Sequence, residues 1–168
     1  MKKFLAVAGL AMALTTALVG GAGATQPIRN PAEGPGSFTF PAGVVCPFPV
    51  FAEALENRQT ETIFSNGDIQ FTGFFLTGVT NLDKPENTLE LVSQGPARLS
   101  FGETTFRLTT RGPIIFFFFP GDAGPGDDNT GRTYFFHGRT ETEIVTATGE
   151  FLSFEHTGKA DDLCAALA

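Results

Sequence analysis

The chain has 168 residues, 42% apolar and 17% charged, with eleven basic residues against eighteen acidic ones. That length accommodates one domain, and the composition excludes a disordered chain. The formal charge of −7 argues against a nucleic-acid partner, because phosphate binding needs a basic face.

Residues 1–24 have the three parts of a secretory signal peptide, expected as a helix. Lys2 and Lys3 precede an apolar run over 4–19, and Ala22 and Ala24 hold the −3 and −1 positions of a cut after Ala24. The run is shorter than the roughly 20 residues of a spanning helix, so no membrane span is expected in the mature form. The chain is expected to be secreted and extracellular. Residues 25–45 are rich in Pro and Gly and read as an extended lead-in to a domain over 46–168.

Pro47 and Pro49 keep the start of that domain extended. The segment 51–58 (FAEALENR) carries helix-friendly residues and predicts a turn or two of helix. From Gln59 the chain reads as strands. Asn66-Gly67 predicts a two-residue hairpin loop that pairs Phe64 with Ile69 and Thr62 with Phe71. Gly102-Glu103 predicts a second tight turn, pairing Leu99 with Phe106 and Ala97 with Leu108. That register sets Arg98 against Arg107, an unfavourable like-charge pair.

The run 114–119 (IIFFFF) has the length of a strand buried on both faces. A Gly/Pro/Asp loop fills 120–131. Two strands, 132–146 and 150–156, flank a turn at Thr148-Gly149, and 161–168 (DDLCAALA) predicts a last helical turn. The expected fold class is all-β, a single antiparallel β-barrel of about eight strands in up-and-down order. A two-sheet β-sandwich is the alternative.

Cys46 and Cys164 are the only thiols. An even count in a secreted chain points to a disulfide, here clasping the two ends of the domain. Two free buried thiols and a nucleophilic Cys are the other readings.

No GxSxG, HExxH, CxxC, Walker loop or dinucleotide fingerprint is present, and no cofactor is implied. His137 and His156 are the only imidazoles. A turn at Thr148-Gly149 sets Glu141 opposite His156, which makes His137, His156 and Glu141 the catalytic candidates for general-base chemistry. A surface ion pair is the bland reading of the same residues. Zinc on the two His needs a third ligand from Asp or Glu. Asp122, Asp127 and Asp128 supply hard oxygen donors for calcium, but their spacing matches no known loop, and turn chemistry explains them equally.

Phe is the strongest compositional signal, 19 residues with one Tyr and no Trp. Successive side chains on a strand face opposite ways, so half of 116–119 must meet a second apolar layer, a cavity or a partner. Phe74, Phe117 and Phe119 are the ligand-binding candidates. The scarcity of Trp and Tyr argues against a sugar-binding platform.

The segments CPFPVFAEALENRQTETIFSNG (46–67), TGFFLTGVTNLD (72–83), FFFFPGD (116–122), GRT (131–133) and DLCAAL (162–167) resemble a group of small secreted proteins of unknown function from high-GC Gram-positive bacteria. The resemblance covers most of the mature chain. It implies secretion, one domain and a Cys46–Cys164 pair, and it carries no activity. The residues together predict a non-enzymatic extracellular binding module for an apolar small molecule or a protein partner. The rival expectations are a barrel-type isomerase or cyclase-like enzyme, and a structural protein of the cell envelope.

Overall fold

A computed structural model describes residues 26–126 and 130–168. The predicted signal helix, with Asp127 and Asp128, lies outside the described residues. Among the described residues the chain is organised as six long antiparallel arms. The first two are β3 (Val50–Ile63) and β4 (Ile69–Asn81). The other four each consist of two strands: β5 (Thr88–Gln94) with β6 (Ala97–Phe101), β7 (Thr105–Arg111) with β8 (Ile114–Phe118), β9 (Arg132–Phe136) with β10 (Arg139–Val145), and β11 (Phe151–Thr157) with β12 (Ala160–Asp162). Short strands β1 (Ile28–Pro31) and β2 (Phe38–Phe40), contributed by the lead-in, pair with opposite ends of β3. Helix α1 (Leu163–Leu167) closes the chain.

The two-strand arms bend at Gly95, Gly112, Gly138 and Gly158, all with positive φ. Pairing runs through the bends without a slip. Arg139 faces Arg111 below the bend and Phe136 faces Ile114 above it, with Gly112 N–H donating to Gly138 O at 2.7 Å between them. Gly112 has φ +105, and a Cβ there would lie 2.3 Å from Gln94 O on the neighbouring arm. No L side chain fits without separating the arms. Gly112→Ala is expected to cost about 1–3 kcal/mol, read as a lower midpoint in urea unfolding. Unchanged stability would show that the bend does not depend on this approach.

Above the bends the meander divides. β5 leaves its neighbour after Gln94 N–H donates to Pro113 O at 3.0 Å, so β8, β9 and β12 form a separate three-stranded sheet. Ile114, Phe116 and Phe118 face back onto Leu108, Phe151 and Phe154 of the lower sheet. Ile115, Phe117 and Phe119 face Phe40, Val50, Ala52 and Val79 on the other side. The IIFFFF run is thus a middle layer with apolar neighbours on both faces. The arrangement is consistent with a sandwich, and no closed barrel forms among the described residues, which corrects the barrel expectation. The antiparallel all-β class agrees with the sequence expectation; the glycine bends that fold the sheet into layers were not expected.

The predicted helix at 51–58 is strand instead. It pairs residue by residue with β4, apart from a bulge between Ala54 and Glu56, and the ladder outweighs helix propensity. The first hairpin closes one residue away from the expected register: Ile63 faces Ile69 and Thr62 faces Gln70. Its loop has three residues, with Phe64 N–H donating to Asp68 O and Gly67 at φ +87, the three-residue solution with a left-handed final residue. At the second turn the register moves by two. Leu99 faces Leu108 and Arg98 faces Thr109, which removes the predicted Arg98–Arg107 clash. Arg98 instead pairs with Asp68 at 2.6 Å and holds that carboxyl below its ordinary range.

Cys46 and Cys164 form a disulfide with Cα atoms 5.4 Å apart. It joins the segment before β3 to α1, inside the core that also holds Val45, Val79 and Leu167. The Asp162 carboxylate accepts from Ala165 N–H at the start of α1. At its end, Asn81 and Asn87 donate to Leu167 O at 2.9 and 3.1 Å. No helix among the described residues is long and apolar enough to cross a membrane.

Candidate functional site

The residues named from sequence do not assemble into one site. Phe117 and Phe119 are half-buried and pack on Phe40 against the core, with ring centroids at 5.2 and 6.0 Å. Phe74 sits on the outer face of β4, with the Arg58 guanidinium 5.5 Å from its ring centroid.

Glu141 does not face His156. The last hairpin is one residue out of the predicted register, so Glu141 faces Glu155 and His156 faces Thr140. Glu141 instead takes contacts from Arg107, at 3.3 Å, and from Arg139. His156 is exposed and lies on Phe136, with ring centroids 5.0 Å apart. His137 Nε2 lies 3.0 Å from Asp161 Oδ2. The hydrogen bond from Lys159 is the main cause that holds the Asp161 carboxyl below its usual range; burial opposes it, and the His137 hydrogen bond adds a smaller lowering. The two imidazoles thus serve different neighbours.

Asp122 is buried. Its carboxylate accepts from Phe119 N–H at 2.8 Å and from Phe151 N–H at 3.3 Å, which ties the loop after β8 to the start of β11. Among the described residues no three His, Cys, Asp or Glu side chains converge as metal ligands.

The outer face of the lower sheet offers a different constellation. Pairing places Arg29 beside Thr62 and Thr62 beside Gln70, with Thr60 beside Thr72 in the next row. These side chains, with Pro27 and Phe64, line a groove of about 310 Å³. Three strands build it: β1 supplies the wall with Arg29, and β3 and β4 supply a floor of hydroxyls and one amide. Phe64 carries the Arg98 guanidinium 5.4 Å from its ring centroid. Arg98 is neutralised by Asp68, whereas Arg29 has no ion-pair or hydrogen-bond partner among the described residues. Thr60, Thr62, Gln70 and Thr72 also have no side-chain hydrogen bond there, so their donors and acceptors are open to solvent or ligand.

Sequence reading missed this groove. The signal was the polar alternation Thr60, Thr62 before the turn and Gln70, Thr72 after it. The expected register set Thr62 against Phe71 and scattered the set over both faces. A second pocket, about 30 Å³, lies where β5 and β8 part, between Gln94 and Pro113, and is too small for more than a water or two. Neither pocket is lined by Phe74, Phe117 or Phe119. Comparison of the chain with protein-family models, with curated proteins and with solved structures gives no match.

Proposed function

We propose that this chain is a secreted, non-enzymatic binding module that takes its ligand on the outer face of the lower sheet. The observation that carries the reading is the groove of Arg29, Thr60, Thr62, Gln70 and Thr72, whose side-chain polar groups have no partners among the described residues. Polar groups arranged around a concavity and left unsatisfied are the ordinary form of a recognition site. The apolar-ligand reading loses its lining, because Phe117 and Phe119 are occupied in packing. The enzyme reading loses its geometry, because Glu141 and His156 are not cross-strand partners. Secretion is supported by the N-terminal pattern and by the disulfide, which persists in oxidising compartments.

The test is a nitrogen-labelled sample of the oxidised protein titrated with a panel of small polar molecules, short peptides and oligosaccharides. At least one member is expected to shift amide resonances clustered at 27–29, 60–64 and 70–72. Shifts centred instead on His137 and His156, or an apolar compound extracted from the denatured protein, would overturn the reading.

A further inference from the structure

Resting on the binding-module reading, we infer that the groove takes a sugar acid, with Arg29 on its carboxylate and the threonine floor on its hydroxyls. Four features of the groove point to this ligand class.

The first is charge. Among the described residues Arg29 is the one cation lining the groove, and no described carboxylate pairs with it. A guanidinium presents a planar fork that matches a carboxylate in a bidentate pair. One free cation balances one carboxylate and leaves a doubly charged anion half-satisfied. The net negative charge of the chain further disfavours a polyanion.

The second is the kind of polar group on the floor. Thr60, Thr62 and Thr72 offer hydroxyls and Gln70 an amide, and each both donates and accepts. Sulfate only accepts and hydrogen phosphate donates at most one or two O–H groups, so either would leave part of that capacity unused. Sugar hydroxyls donate and accept in the same way and would use both.

The third is the wall. Phe64 lines the groove and offers an apolar ring surface to the C–H face of a pyranose. The floor threonines supply the polar contacts that the edge of a Trp or Tyr provides elsewhere. The Trp-free composition therefore does not exclude a sugar.

The fourth is preorganisation. The floor belongs to one continuous ladder, in which β1 pairs with β3 and β3 with β4, so its side chains stand on fixed backbone. The groove volume of about 310 Å³ lies at the small end of ligand sites, as a mono- or disaccharide requires.

The experiment compares a disaccharide that carries one glucuronic acid ring with its neutral methyl ester, by calorimetry and by amide shifts on the oxidised protein. The acid is expected to shift the amides of Thr60, Thr62, Gln70 and Thr72 and to bind about tenfold more tightly than the ester, the scale of one charge-assisted contact. Arg29→Gln is expected to remove that preference. Arg111→Gln, on the same sheet face but outside the groove, is expected to retain it. Acid and ester binding alike in the groove would refute carboxylate recognition while leaving the binding-module reading in place. Preference surviving in Arg29→Gln, or neither sugar shifting the groove amides, would overturn the sugar-acid assignment.

Discussion

Replacing both cysteines, Cys46→Ala with Cys164→Ala, is expected to destabilise the protein by about 4–5 kcal/mol. The bridge closes a separation of 118 residues, and the chain-entropy account assigns that much to so long a loop. Alanine is the informative replacement. Cys46 is 1% and Cys164 9% exposed within an apolar cluster, so serine would add two buried hydroxyls to the lost cross-link. In thermal unfolding the double variant is expected to melt roughly 15 °C lower. Adding a reductant to the parent protein should reproduce most of that loss, and the variant should then not respond to reductant. A melting point within a few degrees of the parent would show that core packing alone fixes α1.

Phe118→Ala is expected to cost about 3–5 kcal/mol, the range for emptying a buried aromatic site. Phe118 is fully buried. Its ring meets Phe154 at 4.9 Å, Phe151 at 5.4 Å, Phe116 at 6.0 Å and Phe136 at 6.2 Å between centroids. The backbone leaves little room to collapse, because a Cβ on Gly124 would already sit 2.6 Å from this ring. Denaturant unfolding is expected to show a lower midpoint with an unchanged slope. Phe101, 43% exposed at a hairpin tip, is the control, and its alanine variant should lose under about 1 kcal/mol. Similar losses at the two positions would contradict a tightly packed middle layer.

Much of this architecture was legible in the sequence, down to a limit set by parity. The hairpins lie where the Gly-containing turns put them. At Gly102 the predicted register was two residues out, and an even slip leaves every side chain on its face, so Leu99 still meets an apolar partner in Leu108. At Asn66-Gly67 and at Thr148-Gly149 the error was one residue, and an odd slip exchanges the two faces. The first odd slip hid the groove, since only the observed register gathers Thr60, Thr62, Gln70 and Thr72 together. The second produced the His156–Glu141 pair that the structure does not form. Loop length decides such registers, and turn residues alone do not separate a two-residue loop from a three-residue one. The strand at 51–58 was illegible for another reason. Its Ala, Leu and Glu residues favour helix locally, and only pairing with β4, which residues 51–58 do not themselves encode, overrides them.

The pairing pattern also bears on the order of assembly. Every ladder joins arms that follow one another in the chain, or joins β1 and β2 to the nearby β3. Each arm can therefore zip onto the one before it as the chain folds, with short loops to close and little entropy to lose at each step. The exception is the seal. Cys164 and Leu167, which complete the core around Val45 and Val50, lie in the five-residue helix α1, after the last described strand. The sheets are thus laid down in chain order, while the covalent lock waits for a cysteine that follows every one of their strands.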